Sequence, residues 1–292
     1  MNMTNMLRSC GKTIWAQPMK KAGNQNRKIL GFSLHNEETI MEVIASWNRL
    51  CQVPGFSARI QNIAKRELLR DLIIPAQGKT FMAKVYMNKD LGRSLLSMCH
   101  FGEAERNGST LAYLANQSIH VTRPLCLLRE YHNGLVTKSV LFLEKLPETA
   151  IDYKVYLPGT LPNKPERFRT TFFAQAGQAI GQVHKAGVYT EDTDQNLMVE
   201  EKEQKCIFHL LDFDNFYPWR IPTLNRTIHA IAHAVDTGKQ AQYTCNARET
   251  EAFVKAYLTV RDKPEWHSPI MAALKNDRQH IFTNPTCPLE GQ

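Results

Sequence analysis

A short polar segment in the second half of the chain carries two side chains that suit metal binding. Asp192 and Asn196 lie four residues apart on this segment, which follows a long apolar stretch. Sixteen residues after Asn196, an apolar run ends at Asp212, and Asp214 follows two residues later. Phosphoryl transfer needs carboxylate and amide ligands for Mg²⁺ and a carboxylate beside the attacking hydroxyl. The spacing therefore predicts a site for metal-assisted phosphoryl transfer.

One lysine in an apolar run of the first half suits the charge of nucleotide phosphates. Lys84 lies in the run FMAKVYM at 81–87, and a strand lysine of this kind contacts the α- and β-phosphates in kinase folds. A strand lysine is more often a solvated edge residue, and strand-end acids are often turn residues. Lys84 and the acidic segments therefore indicate a phosphoryl-transfer site only when they are considered together.

Helices and short strands must position these groups in the second half. Apolar residues at helical spacing predict a helix over 166–186, and Gly187 is typical of a helix end. Two β-like runs follow at 197–199 and 206–213. Further helices are predicted at 223–237 and 248–260. The polar segment is thus predicted to be a loop between a long helix and a strand pair.

The first half is predicted to be richer in strands. Helical spacing of apolar residues predicts a helix over Glu37–Cys51, and the turn-rich residues 75–78 divide two apolar runs of a β-hairpin. A second helix over Glu103–Asn116 and two strands at 121–128 and 138–144 follow.

The predicted fold is α+β and bilobal, with a small β-rich N-lobe and a mainly helical C-lobe. The amino-terminal tract is rich in Asn, Lys, Met and Gly without apolar periodicity, which indicates a flexible leader. We therefore predict a leader at 1–35 and an N-lobe at 36–145, with a five-stranded type of antiparallel sheet and one main helix. A helical C-lobe with the catalytic loop follows at 146–270, and a C-terminal tail at 271–292.

Three runs in the chain resemble motifs of the lipopolysaccharide kinases, the group that contains Kdo kinase and the core heptose kinases. GVYTED at 187–192 is similar to their catalytic loop, LLDFD at 210–214 to their second metal-binding segment, and LFLEKLP at 141–147 to their strand and hinge. The similarity spans roughly residues 65–260. It implies a protein-kinase-like fold.

The resemblance also implies ATP and Mg²⁺ as cofactors and a sugar hydroxyl of lipopolysaccharide core or a related glycolipid as acceptor. Carried over by position, Lys84 holds the α- and β-phosphates, and Glu144 belongs to the nucleotide site at the hinge. Asp192 acts as the base on the sugar hydroxyl, while Asn196 and Asp212 bind Mg²⁺.

The chain departs from the family pattern at its predicted catalytic loop. Thr190 stands where the family has histidine, and the spacing from Asp192 to Asn196 is one residue shorter than the common pattern. The shorter spacing leaves Glu191 as an alternative base.

A further departure concerns the helix acid that orients the nucleotide lysine in kinases. Aligned on the apolar positions of the predicted helix, Asn107 occupies the place of that acid. Glu105 is the predicted partner of Lys84, with Glu103 as the alternative. The chain has no G-x-G-x-x-G loop, and the segment at 64–69 is left to cover the phosphates.

Composition favours anionic partners and an intracellular location of the protein. Thirty-six basic and 28 acidic residues give a net charge of +8, but the basic residues form no stripe of the kind that binds nucleic acid. The seven cysteines include no C-x-x-C pair, and no run of about 18 apolar residues occurs. We therefore expect no nucleic-acid partner and a cytoplasmic location with peripheral contact with the anionic inner membrane.

Three functions fit these residues. The first is a sugar kinase of the lipopolysaccharide type, and the second is a small-molecule phosphotransferase resembling the aminoglycoside or choline kinases. The third is an inactive pseudokinase that binds a nucleotide or a partner, which Thr190, Asn107 and the shortened loop motivate. Magnesium-dependent turnover separates the third from the first two, and the acceptor separates the first from the second.

Overall fold

The computed structural model divides into two compact units. It describes residues 14–18, 26–32, 37–54, 61–63, 66–74, 79–88, 90–189, 196–203, 205–213, 222–235 and 243–276. The first unit comprises the described residues of Met1–Asn116, Thr122–Leu146 and Phe213–Asn215. The second unit comprises those of Gln117–Val121, Pro147–Asp212 and Phe216–Gln292.

The first unit is built on an antiparallel sheet. Within the described residues its strands are β1 (Ile14–Pro18), β2 (Asn26–Phe32), β3 (Gln61–Ile63), β4 (Arg66–Ile74), β5 (Lys79–Met87), β6 (Pro124–His132) and β7 (Leu135–Glu144). Their order is β1-β2-β6-β7-β5-β4-β3, and every neighbouring pair is antiparallel. The strand that carries Lys84, β5, therefore lies inside the sheet between β7 and β4.

Helix α1 supplies one layer of the core of this unit. The helices described in the first unit are α1 (Glu37–Cys51), α2 (Leu91–Met98) and α3 (Glu103–Asn116). The bounds of α1 and α3 confirm the predicted helices. Trp47 of α1 is buried in one cluster with the β5 side chains Ala83 and Val85, and its ring meets Phe142 of β7 edge to face at 5.7 Å. Burial of this apolar surface stabilises the contact between helix and sheet.

The β6–β7 hairpin turns at Asn133 and Gly134. Both residues have positive φ angles, 49° and 80°. Two successive positive φ angles are the requirement of a type I′ turn, whose twist matches that of the flanking strands, and Asn-Gly is its preferred sequence. The turn places His132 opposite Leu135, and a register shift between Glu130 and Tyr131 then brings Arg129 opposite Ser139.

The structure corrects the predicted flexible leader. Within residues 1–35, β1 and β2 form strands, and Ile29, Leu30 and Phe32 are almost completely buried. The predicted five-stranded sheet is accordingly a sheet of seven strands among the described residues, with three helices rather than one main helix. Strand β2 was missed because its partner β6 lies about a hundred residues away in sequence, so local periodicity gives no indication of the pairing.

The second unit is mainly helical and confirms the α+β class with a β-rich first part. Its described strands are β8 (Ala150–Asp152), β9 (Leu197–Lys202) and β10 (Lys205–Leu210), in the order β10-β9-β8. Its described helices are α4 (Tyr153–Gly159), α5 (Glu166–Lys185), α6 (Leu224–Val235), α7 (Ala247–Arg261) and α8 (His267–Asn276). Short 3₁₀ turns lie at Leu161–Asn163 and Pro264–Trp266.

The predicted C-terminal tail begins too early. Helix α8 continues to Asn276, and its residues Ile270 and Leu274 are buried one turn apart. The boundary was missed because α8 is short and only one apolar pair marks its inward face, which is too little for a helical pattern to be recognised.

Helices α5 and α7 pack with their backbones close together. A side chain at Gly177 of α5 would collide with the carbonyl oxygen of Phe253 in α7. One turn later, a Cβ at Gly181 would lie 3.1 Å from the carbonyl oxygen of Tyr257. Glycine at both positions is therefore what lets the two helices approach, and this contact holds the end of α5 from which the predicted catalytic loop departs.

Candidate functional site

The two predicted metal ligands lie at the same end of the β9–β10 hairpin, one beside each strand. The strands pair as far as Leu197 and Leu210, and one step further the Leu211 N–H donates to the Asn196 carbonyl oxygen at 2.9 Å. Asp212 follows Leu211 directly, and both Asn196 and Asp212 are half-buried. The hairpin register therefore places Leu211 opposite Asn196, so that the backbones of Asn196 and Asp212 lie one residue apart across this end of the hairpin.

This pair fits Mg²⁺ by its chemistry. An amide oxygen and carboxylate oxygens are the hard donors that Mg²⁺ prefers, and Mg²⁺ is usually held by one or two protein ligands together with substrate phosphates and water. In the described part of the chain, no group of three or more His, Cys, Asp or Glu side chains is arranged to hold a metal. Asp192 and its alternative Glu191 lie outside the described residues.

A hydrogen-bonded cap ends α5 and directs the chain towards the predicted catalytic loop. Gly187 has a φ of 84°, its N–H donates to the His184 carbonyl at 3.1 Å, and the Val188 N–H donates to the Val183 carbonyl at 3.2 Å. These two bonds with a left-handed glycine form a Schellman motif, which satisfies carbonyls at the helix end. Val188 and Tyr189 are then buried, so the chain is anchored up to the residue before Thr190, which lies outside the described residues.

His184 anchors the same helix end from inside. Its side chain is buried, and its Nδ1 lies 2.7 Å from the Tyr257 hydroxyl oxygen of α7. Burial lowers the pKa of His184 to about 3, and the nearby Arg261 contributes to this lowering. The imidazole is therefore neutral at ordinary pH and packs against Tyr257 of α7. Its Nε2 has no hydrogen-bond partner among the described residues.

Lys84 lies on the face of β5 that α3 covers. Cross-strand partners share a face of the sheet, and Lys84 is opposite Leu141 of β7, whose Cδ1 would be 3.0 Å from a Cβ at Gly108 of α3. Lys84 is half-buried, with its Nζ 5.5 Å from the centroid of the Tyr86 ring. The predicted phosphate-binding lysine is thus on an inner strand rather than on a solvated edge.

The structure corrects the predicted partner of Lys84. The Glu105 carboxylate accepts a hydrogen bond from Arg129 Nε of β6 at 2.8 Å and another from the Ser97 hydroxyl at 3.3 Å. The side chains of Glu105 and Arg129 are each 2% exposed. Burial raises the pKa of Glu105 and the Arg129 guanidinium opposes that rise. Glu105 therefore serves a buried ion pair with Arg129, and the alternative, Glu103, is half-buried at the start of α3.

Asn107 occupies the centre of the helix face towards the sheet. It is completely buried, its Nδ2 donates to the Tyr86 hydroxyl oxygen at 3.0 Å, and its Oδ1 accepts from the Phe213 N–H at 3.0 Å. The position where the sequence lacks the expected helix acid is therefore filled by an amide that contacts both β5 and the residue after Asp212.

Glu144 is the last residue of β7, at the predicted hinge. Its N–H donates to the Arg123 carbonyl at 2.9 Å, and the Lys145 N–H donates to the Thr80 carbonyl at 3.0 Å. The half-buried Glu144 side chain thus projects from a backbone that is held on both sides. Its role at the nucleotide site stays a prediction.

Arg129 is the structural residue that the sequence interpretation missed. It lies within the run LCLLREY of β6 and is 1% exposed, and its Nη2 also lies 3.2 Å from His100 Nδ1. A charged residue inside an apolar run is almost never fully buried unless it is paired. That rule was the available signal, and it would have directed the search towards an acidic partner such as Glu105.

Comparison with known proteins establishes the fold. No family model matches the chain, and no curated protein sequence matches it. Among solved structures, the chain is similar to WaaP, solved in complex with acyl carrier protein, with 11% identity, a TM-score of 0.56, and coverage of 81% of this chain and 92% of that chain. At this identity the similarity shows the fold alone, and that fold is protein-kinase-like, as predicted.

Two further solved structures are similar at lower scores. One is titin kinase with its flanking domains, at 11% identity, a TM-score of 0.41, and coverage of 87% of this chain and 55% of that chain. The other is a glucosamine kinase, at 11% identity, a TM-score of 0.39, and coverage of 94% of this chain and 90% of that chain. Both TM-scores are too low to bear on the fold. Separately, none of the helices in the described segments is long and apolar enough to cross a membrane.

Proposed function

We propose that this protein is an ATP- and Mg²⁺-dependent phosphotransferase that phosphorylates a sugar hydroxyl of lipopolysaccharide core or a related glycolipid. The observation that carries the proposal is the adjacency of Asn196 and Asp212 at the end of the β9–β10 hairpin, in a chain with a protein-kinase-like fold. In kinases of this fold, an amide and a carboxylate at these two points of the chain hold the metal ions.

Each proposed residue has one task. Asn196 and Asp212 bind Mg²⁺, which neutralises charge on the β- and γ-phosphates, and Lys84 binds the α- and β-phosphates. Asp192 accepts the proton of the sugar hydroxyl, with Glu191 as the alternative base. The hydroxyl oxygen of the sugar bonds to the γ-phosphorus while the bond between the γ-phosphorus and the β-phosphate oxygen of the departing ADP breaks. Glu144 contributes to nucleotide binding at the hinge. The net charge of +8 supports action on phosphorylated substrates in the cytoplasm, beside the anionic inner membrane.

A second candidate is a nucleotide-binding protein without turnover. The observation that favours it is the ion pair between Glu105 and Arg129, because it removes the predicted carboxylate from the ion pair with Lys84 that active protein kinases require. The two candidates share the fold and the metal-binding pair, and they differ only in whether bound ATP is consumed.

The test is Mg²⁺-dependent transfer of labelled γ-phosphate by the purified chain to extracted lipopolysaccharide core, with an aminoglycoside and choline as alternative acceptors. Asp212→Asn should lower transfer by roughly 10²-fold or more, because the charge stabilisation supplied through a bound metal is worth several kcal/mol. Lys84→Met and Asp192→Ala should also abolish most of the transfer.

Glu203→Gln is the matched control, since Glu203 is an exposed acid at the opposite end of the same hairpin. It should leave transfer unchanged. Full transfer by Asp212→Asn would contradict the metal assignment. Binding of MgATP without consumption on any acceptor would establish the second candidate, and transfer to the aminoglycoside or choline alone would replace the proposed acceptor.

A further inference from the structure

The buried amide of Asn107 links two segments that the proposed reaction depends on. On one side it reaches Tyr86, two residues after Lys84 on β5, and on the other it reaches the backbone of Phe213, the residue after Asp212. Asn107, Tyr86 and Phe213 are 0%, 4% and 1% exposed, so no bulk water competes for these hydrogen bonds.

The chemistry of the amide fixes the direction of both bonds. A backbone N–H can only donate, so the atom of Asn107 that faces Phe213 is the oxygen, and the nitrogen must then donate to the Tyr86 hydroxyl oxygen. One short side chain thus supplies an acceptor to one segment and a donor to the other. Leucine, of similar size, supplies neither, and aspartate supplies only acceptors.

The close approach of α3 to the sheet at Gly108 explains how the short side chain of Asn107 reaches Tyr86. A Cβ at Gly108 would lie 3.0 Å from Leu141 Cδ1 and would also press on the Phe32 ring, so α3 runs close to the sheet. At this separation the short asparagine side chain reaches from the helix to the Tyr86 hydroxyl. The neighbouring acid, Glu105, is bound to Arg129 instead.

We propose that Asn107 is a positioning residue for the metal-binding carboxylate, because its hydrogen bonds to Tyr86 and to the Phe213 N–H hold the backbone that carries Asp212. The two hydrogen bonds tie α3 to β5 on one side and to the backbone of Phe213, the residue that follows Asp212, on the other. The proposal rests on the proposed function for its catalytic consequence, although the hydrogen-bonded bridge itself does not.

The first measurement is amide hydrogen exchange of the full chain, which needs no activity. Asn107→Leu should speed exchange of the Phe213 N–H by about tenfold or more, because the N–H loses its acceptor. Tyr86→Phe removes one half of the bridge and should speed the same exchange by a smaller factor. Ser109→Ala, two residues further along α3, is the matched control and should leave that exchange unchanged.

The second measurement is the Mg²⁺ dependence of ATP binding and consumption. Asn107→Leu should raise the Mg²⁺ concentration for half-maximal effect by about tenfold, since a ligand that is misplaced must be repositioned on binding. Affinity for ATP in the absence of Mg²⁺ should stay within about twofold of the parent chain, because the phosphate-binding lysine is untouched. Asn107→Asp, which keeps an acceptor for the Phe213 N–H but adds a buried charge, should fall between the parent and leucine variants.

These outcomes separate the two proposals. Unchanged Phe213 exchange in a folded Asn107→Leu or Tyr86→Phe chain would refute the bridge. Faster exchange with unaltered Mg²⁺ dependence would make Asn107 merely structural and overturn its positioning role. A parent chain that neither binds nor consumes MgATP would refute the proposed function and with it the positioning role, while the exchange data would still decide whether the bridge exists.

Discussion

Two arginine–glutamate pairs in the molecule have the same contact distance and different surroundings. In the first unit, Arg129 Nε lies 2.8 Å from Glu105 Oε1, and both side chains are 2% exposed. In the second unit, Arg169 Nε also lies 2.8 Å from Glu249 Oε1, and here the glutamate is 1% exposed but the arginine is 23% exposed. Because desolvation and not distance separates these pairs, the cost of breaking them should differ several-fold.

The partners of the two carboxylates differ as well. Glu249 also accepts from the Tyr243 hydroxyl at 3.0 Å and from the Asn246 N–H at 2.9 Å, as part of the capping box that begins α7. Without its arginine it would keep two donors. Among the described side chains, Glu105 would keep the Ser97 hydroxyl at 3.3 Å as its donor. Glu105 and Arg129 therefore depend on each other, whereas Arg169 is one of several hydrogen-bond donors to Glu249.

The largest expected effect comes from removing one member of the buried pair. Arg129→Leu leaves an unpaired buried carboxylate and should lower the free energy of unfolding of the first unit by about 3–5 kcal/mol. Chemical denaturation, with hydrogen exchange of β6 and α3 peptides as a local probe, measures this change.

The matched control for that variant removes both charges. The double variant Glu105→Leu, Arg129→Leu should recover most of the lost stability, because a buried ion pair replaced by apolar side chains is often close to neutral. A single variant that is as stable as the parent chain would show that Glu105 is solvated or protonated without its partner, and the contrast between the two pairs would then fail.

A smaller effect is expected from the buried neutral group in the second unit. Burial lowers the pKa of His184 to about 3, so below about pH 6.5 the unfolded chain binds a proton that the folded chain excludes. Stability is therefore fully present above about pH 6.5 and falls by roughly 1.4 kcal/mol per pH unit as the pH drops towards 3.

The variant His184→Asn provides the comparison, because the asparagine amide can keep the hydrogen bond to Tyr257 and cannot titrate. Between about pH 7.5 and pH 5, the free energy of unfolding of the parent chain should fall by about 2 kcal/mol more than that of the His184→Asn chain. Parallel pH profiles for the two chains would mean that the folded state protonates His184 as readily as the unfolded state does.

The smallest effect is expected at the partly exposed pair. Arg169→Leu should lower the free energy of unfolding by about 1 kcal/mol or less, because solvent screens the pair and Glu249 keeps its other donors. Thermal or chemical denaturation beside Arg129→Leu measures the ratio of the two effects. A loss as large as that of Arg129→Leu would show that exposure does not govern the difference between the pairs.

Local patterns were sufficient for the elements that carry Asn196 and Asp212, the proposed metal-binding pair. Helical spacing predicted the long helix now seen as α5, and the glycine at its end predicted the cap at Gly187. The apolar runs before and after the turn predicted β9 and β10, so the adjacency of Asn196 and Asp212 could be anticipated. Each of these features depends on residues that are close in sequence.

Contacts between distant segments were beyond such patterns. Helical periodicity does not identify Arg129 as the partner of Glu105, because Arg129 lies on β6, 24 residues further along the chain. Periodicity nevertheless indicated which residue contacts β5: Asn107 shares one helix face with Leu111 and Leu114. Glu105 does not share that face, and it contacts Arg129 of β6 instead.

The backbone contact between α5 and α7 limits how this sequence can change over evolution. At position 177 no side chain fits against the Phe253 carbonyl without moving a helix, so substitutions there should be rejected whatever their polarity. At position 181 the neighbouring atoms need to give by only a few tenths of an ångström, so alanine or serine can be accepted. Two glycines that look equivalent in sequence should therefore differ in tolerance: position 177 should accept glycine alone, and position 181 should accept a small side chain.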